Sequence, residues 1–94
     1  MPNAQKKILV LARRDHGEAM RVAAGLTIFG HRVRLVFVSR PVAQTEHNAA
    51  MAELLELSGI APETTVVAMG PELPYLDTDA LAAAMSATDV VVNV

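Results

Sequence analysis

The sequence predicts an α/β domain in which helices cover both faces of a parallel sheet of about four strands. Short apolar runs alternate with longer segments of helical periodicity, in the order β-α-β-α-β-α-β. The apolar runs are largely continuous, which is typical of strands buried on both faces. The chain is also 52% hydrophobic and only 19% charged, a composition that favours either a doubly covered sheet or a subunit interface.

The first strand is predicted at residues 6–12, where two lysines lead into a continuous apolar run. Asp15 is a good N-cap for a helix, and Glu18 three residues later completes a capping-box pattern. This helix is expected to run through Phe29 and to stop at Gly30. Its predicted inward face consists of Met20, Val22, Ala23, Ala24, Leu26, Ile28 and Phe29.

The second strand is predicted at residues 31–39, where polar-apolar alternation gives way to a continuous apolar stretch. Pro41 ends it, since proline cannot donate a hydrogen bond to a sheet. A second helix is expected at 44–58 and is closed by Gly59. Its predicted inward residues are Ala49, Ala50, Met51, Leu54, Leu55 and Leu57.

The third strand is predicted at 64–69, which is apolar and rich in β-branched residues. A loop with two prolines at 70–75 leads to a short helix at 77–87, capped by one of its first two residues. The fourth strand is expected at 89–94. Inward residues of the short helix are expected to be Leu81, Ala84 and Met85. The elements together predict a three-layer α/β/α sandwich of the flavodoxin-like type, with right-handed crossovers.

Length and composition restrict the possible classes of protein. The 94 residues are expected to form one domain, 1–94. The sequence contains no cysteine, which excludes disulfides, thiolate metal sites and cysteine nucleophiles and makes a cytoplasmic location the default. No apolar run reaches the roughly 18–20 residues of a membrane span, and the first five residues do not resemble a signal peptide. No membrane association is therefore predicted.

Charge is distributed unevenly along the sequence. Residues 1–40 hold all eight basic side chains and two acids, for a formal charge of +6, whereas residues 41–94 hold eight acids and no lysine or arginine, for −8. This asymmetry favours self-association or an anionic ligand near the basic half, unless folding intermixes the two halves. Nucleic acid is not an expected partner, because aromatic residues are not interleaved with the basic ones.

Polar and charged residues follow the first two predicted strands, at the edge where ligands gather in parallel sheets. They are Arg13, Arg14, Asp15, His16, Ser39 and Arg40. Guanidinium groups beside a helix N-terminus favour an anion, so these residues form the candidate ligand-binding site, which Arg40 joins if the first two strands are neighbours. The alternative is that Asp15 only caps the helix, while the arginines are solvated or lie at an interface.

Motifs for other chemistry are absent from the sequence. Neither a G-x-G-x-x-G nor a P-loop pattern occurs, so no cofactor is predicted. His16, His31 and His47 lack the close spacing of metal ligands, and no metal site is predicted. An enzyme with Asp15 or His16 as general base is a further hypothesis, but no second catalytic group accompanies them, and the sequence favours a role without catalysis. Tyr75, between two prolines, is expected either to anchor a neighbouring subunit or to pack on its own domain.

Several stretches resemble the DsrE/DsrF-like family, which includes sulfur-relay subunits. They are 7–11, Gly30-His31 before 33–38, 39–42, 54–60, 79–92 and the close at Asn93-Val94. The resemblance implies this fold, oligomerisation and a sulfur-metabolism setting. Sulfur-carrying members hold a persulfide on a cysteine in or after the third strand, and residues 64–70 contain none. Pro41 also replaces the glycine that is usual in the family.

Two functional hypotheses follow. The first is a small cytoplasmic DsrE-like subunit that is not a persulfide carrier and that acts by assembling with itself or with a related small subunit. The alternative is a module that binds a small anionic metabolite or nucleotide at the carboxyl edge of the sheet.

Overall fold

Parallel strands and α-helices alternate through residues 5–94, the part of the chain that the computed structural model describes. The strands are β1 (Lys7–Ala12), β2 (Arg32–Phe37), β3 (Glu63–Thr64) and β4 (Val90–Asn93). The α-helices are α1 (His16–Ile28), α2 (Glu46–Leu57) and α3 (Thr78–Ser86). The strands form one parallel sheet in the order β3-β2-β1-β4. The predicted three-layer α/β/α fold is confirmed.

β1 lies at the centre of the sheet and is its most buried strand. It pairs with β2 on one side and with β4 on the other, so that Ile8 lies opposite both Val33 and Val90. Alternate side chains of β1 point to opposite faces. Val10 and its neighbours on one face pack against α1 and α2, whereas Leu9 and Leu11 pack against α3 on the other. A continuous apolar run therefore predicted a doubly covered strand correctly.

The start of α1 is built as predicted, with one difference. The Asp15 side chain accepts a hydrogen bond from the Glu18 main-chain N–H at 2.9 Å, so Asp15 is the N-cap. The Glu18 carboxylate does not complete the capping box. It binds the Arg21 guanidinium at 2.6 and 2.8 Å instead, one turn along the helix. Gly30 follows the helix with a φ of 91°, the left-handed conformation that glycine adopts easily.

The inward faces of the helices are shorter than predicted. Ile28 and Phe29 are 74% and 81% exposed, because the fully buried face of α1 ends at Ala24. Leu57 is 86% exposed, and Leu55 is the buried residue of α2. Ala49, Ala50 and Met85 were also predicted to be inward, and all three are exposed. For α2 the reason is that β3 has two residues and offers little sheet to cover.

The predicted third strand at 64–69 is wrong beyond its first residue. The Thr64 hydroxyl donates to the Phe37 main-chain oxygen at 3.1 Å and accepts from the Val66 N–H at 2.9 Å, which turns the chain out of the sheet. A 3₁₀ turn, Val67–Met69, follows. The outer side of Thr64 pairs with the segment around Tyr75 instead, through bonds of 3.0 and 2.8 Å. The loop with two prolines thus returns to the sheet edge.

Folding interleaves the basic and acidic halves of the sequence. β1 and β2 come from the basic half and occupy the centre of the sheet, whereas β3 and β4 come from the acidic half and flank them. The asymmetry along the sequence is therefore not a division of the molecule into two oppositely charged halves. No helix in residues 5–94 is long and apolar enough to cross a membrane. The prediction about a signal peptide falls mainly on residues 1–4, outside the described residues.

Candidate functional site

The carboxyl ends of β1 and β2 bring the predicted site residues to one edge of the sheet. The two strands are direct neighbours, and Val38 still donates to the Ala12 main-chain oxygen at 3.0 Å. The Arg40 guanidinium extends across this edge to the loop that joins β1 to α1. It donates to the main-chain oxygens of Arg14 and Arg13, the latter at 3.4 Å. Arg40 therefore converges with the β1–α1 loop.

Ser39 holds Arg40 in this direction through a strained turn. Its φ is 77°, in the left-handed region that residues other than glycine rarely adopt. The Arg40 N–H donates to the Val38 oxygen at 3.0 Å, two residues back. A turn with this hydrogen bond and a positive φ is the rarer, strained form of γ-turn. Such strain persists where the surrounding structure enforces it, and it is concentrated at functional sites.

The other side of β1 is closed by hydrogen bonds. The winding of the sheet reverses between β1 and β4, and doubly wound sheets bind ligands in the crevice at such a reversal. Here the Arg13 Nε donates to the Asn93 Oδ1 at 2.9 Å, and the Arg14 N–H donates to the Val94 main-chain oxygen at 3.0 Å. The Arg13 side chain is thus directed toward β4 and away from the Arg40 side chain.

A cavity of about 280 Å³ lies on the open side, at the N-terminus of α1. Its lining residues are Arg14, Asp15, His16, Gly17, Arg40, Ala43 and Asn48. Four of the predicted site residues therefore line one cavity, whereas Arg13 and Ser39 do not. The sequence analysis did not predict Ala43 and Asn48 as site residues. They reach the cavity because α2 packs against α1, a contact that no local sequence motif indicates.

His16 is the buried polar residue of this cavity. Its side chain is packed edge-on against Phe37, with ring centroids 5.3 Å apart, and it is 5% exposed. The buried Nε2 has no hydrogen-bond partner in residues 5–94. Burial lowers the pKa of His16; the main chain of Val38 opposes this shift, and the charge of Arg40 reinforces it. The imidazole is therefore neutral at pH 7, and positive charge at the site comes from the arginines.

Gly17 allows the N-termini of α1 and α2 to meet beside the cavity. A Cβ at this position would lie 2.7 Å from His47 Cδ2 and 2.8 Å from Asn48 Oδ1, both closer than carbon contacts allow. His47 therefore packs directly against Gly17, the residue that follows His16. In the described part of the chain, no group of three or more histidine, cysteine or acidic side chains is placed to hold a metal ion.

A larger cavity of about 420 Å³ adjoins the first one, between α2 and the loop that follows β3. Its apolar lining includes Val42, Leu55, Ile60, Met69 and Leu73. Ala43 and Asn48 line both cavities. Sequence reasoning missed this cavity, because it arises from the shortness of β3. Tyr75 lines neither cavity and is 49% exposed, so its role at an interface stays a prediction.

No family model matches the chain, and no curated protein or solved structure is significantly similar to it. The resemblance to the DsrE/DsrF-like family therefore stays a prediction.

Proposed function

We propose that this domain binds a small anionic ligand in the cavity at the N-terminus of α1. The observation that supports the proposal is that Arg14 and Arg40 line one cavity together with the start of a helix of 13 residues. A guanidinium group is the side chain best suited to carboxylate and phosphate oxygens, and a helix N-terminus adds main-chain donors and a favourable dipole.

Main-chain donors are present at this helix start. The first intrahelical hydrogen bond runs from Ala19 to the Asp15 oxygen at 2.9 Å, so the N–H groups of His16 and Gly17 precede it. Asp15 is the one acid in the lining, and its carboxylate caps Glu18. Two arginines and the helix dipole therefore outweigh one capped carboxylate.

Isothermal titration calorimetry with inorganic phosphate tests the proposal. Arg14→Ala is expected to weaken binding roughly 10- to 100-fold, since a hydrogen bond to a charged group contributes about 1.5–3 kcal/mol. Arg13→Ala is the matched control. It removes the same charge from the adjacent residue, whose side chain is bound to Asn93 on the closed side. Equal losses in the two variants, or no phosphate binding by the unaltered chain, would contradict the proposal.

A second candidate is the small cytoplasmic, DsrE-like subunit that acts by assembly, in the sulfur-metabolism setting that the resemblance implies. Its support is three exposed apolar side chains, Ile28, Phe29 and Leu57, which are 74%, 81% and 86% exposed. Ile28 ends α1, Phe29 follows it and Leu57 ends α2, so all three lie toward the amino edge of the sheet, opposite the cavities. Large apolar side chains exposed at one edge of a domain favour a protein interface there.

Light scattering after size exclusion tests this candidate. A multimer at micromolar concentration that Phe29→Glu converts to a monomer supports assembly through these exposed side chains. Tyr75→Glu is the comparison variant. If only this change dissociates the multimer, the interface lies at the loop with two prolines instead. A clean monomer of the unaltered chain with no co-purifying partner counts against assembly.

A further inference from the structure

We infer that the ligand is an amphipathic anion whose charged group occupies the smaller cavity and whose apolar part occupies the larger one. This inference rests on the proposed anion site and specifies the chemical class of its ligand: an alkyl or aryl phosphate or carboxylate.

The two cavities are neighbours that share part of their lining. Their volumes are about 280 and 420 Å³, and Ala43 and Asn48 contribute to both. Ligand pockets are commonly about 300–1,000 Å³, so the pair together has the size of one binding site. Asn48 is held at the junction by a hydrogen bond from its Nδ2 to the Ala43 main-chain oxygen at 2.9 Å. The junction is thus formed by a small methyl group and a fixed amide.

Apolar side chains dominate the wall of the larger cavity and come from separate parts of the chain. Val42 lies before α2, Leu55 lies within it, and Leu73 belongs to the loop with two prolines. Val42 and Leu73 are half-buried, so an apolar group placed between them would remove their remaining exposed surface from water. Polar groups alone would gain little from this wall.

Charge is segregated between the two cavities. Arg14 and Arg40 line the smaller cavity and not the larger, whereas Glu56 and Glu72 line the larger and not the smaller. A ligand with its negative group in the larger cavity would face two carboxylates. The charges therefore fix the orientation of an amphipathic anion and disfavour ligands that are negatively charged at both ends.

Calorimetry with octyl phosphate and methyl phosphate tests the inference, since the two probes share a charged group and differ in apolar length. Octyl phosphate, kept below its micellar concentration, is expected to bind at least about 30-fold more tightly, because each added CH₂ that is buried favours binding. Equal affinities would overturn the inference and leave the anion site intact. If neither phosphate binds, the proposed function fails as well.

Ala52→Phe supplies an independent test. Ala52 is an exposed residue of α2 that lines the larger cavity, so a phenyl ring there fills the space without entering the core. The variant is expected to lose most of the preference for octyl phosphate while binding methyl phosphate unchanged. Ala50→Phe, on an exposed position of the same helix outside both linings, is the matched control and keeps the preference. An unchanged preference in Ala52→Phe would overturn the inference.

Discussion

The two sides of β1 meet the carboxyl edge of the sheet in opposite ways. Between β1 and β4 the edge is closed, since the Arg13 side chain binds Asn93 and the main chain of Arg14 binds Val94. Between β1 and β2 it is open, and the smaller cavity lies there with the larger one beside it. The side chains of the adjacent residues Arg13 and Arg14 thus lie on different sides of β1.

This difference shows that strand order determines where a crevice can form, whereas the side chains and loops determine whether it stays open. The reversal of winding places a crevice between β1 and β4, which is where doubly wound sheets commonly bind ligands. In this chain the loop after β1 closes that crevice, because Arg13 and Arg14 are hydrogen-bonded to Asn93 and Val94. Open space appears one strand away, because β3 is short and the turn at Ser39 directs Arg40 over the loop.

The largest expected effect comes from removing the hydrogen bonds that turn the chain out of β3. Thr64→Val leaves the half-buried Val66 N–H without its acceptor and is expected to lower the free energy of unfolding by about 1–2 kcal/mol, measured by urea denaturation. Thr65→Val makes the same chemical change at a neighbour whose hydroxyl makes no hydrogen bond in residues 5–94, and less than about 0.5 kcal/mol is expected. Equal effects on the free energy of unfolding would show that the Thr64 hydroxyl does not stabilise the turn that ends β3.

A pH-dependent effect is expected from His16. Because its folded pKa is lowered, the unfolded chain takes up a proton below the ordinary value of about 6.5 while the folded chain stays neutral. The contribution to stability is therefore complete above about pH 6.5 and is lost as pH falls toward the folded pKa. His16→Gln removes this titration. The difference in unfolding free energy between the two chains should change only below about pH 6.5, and a constant difference would contradict burial on the open side.

The smallest expected effect tests the strain at Ser39. Ser39→Gly relieves the left-handed conformation, worth about 1–2 kcal/mol, but adds freedom to the unfolded chain, so a net gain of roughly 0.5 kcal/mol is expected. Ser86→Gly, at the last residue of α3, is the control and should destabilise by less than about 0.5 kcal/mol. Thermal unfolding measures both. A loss of stability in Ser39→Gly would mean that the serine side chain stabilises the turn.

Elements governed by local chemistry could be predicted from the sequence. Asp15 caps α1 because its carboxylate reaches an N–H three residues on, and this depends on neighbouring residues alone. The central strand was recognisable because burial on both faces requires a continuous apolar run. The placement of Arg14, Asp15, His16 and Arg40 at the carboxyl edge followed from the rule that parallel strands share that edge. Their meeting at one cavity also required β1 and β2 to be neighbours, which the sequence alone did not determine.

Features that depend on distant contacts could not be predicted. The β-branched run at 64–69 has the composition of a strand, yet the Thr64 hydroxyl and its bond to Phe37 end the strand early. Similarly, the exposure of Phe29 and Leu57 depends on where the sheet beneath each helix stops. The larger cavity exists because of that short strand, and no residue type in the sequence marks an empty volume.

The central position of β1 has a kinetic consequence. Its pairing with β4 joins residues that are far apart in the sequence: the Lys7 N–H donates to the Asp89 carboxylate across 82 positions. Closing so long a loop costs conformational entropy before any contact compensates for it, so folds with such pairings form slowly. β1 is synthesised before both strands that flank it. Until β4 docks, the most buried strand of the sheet keeps one unpaired edge, and during that interval the chain is most open to pairing with another copy of itself.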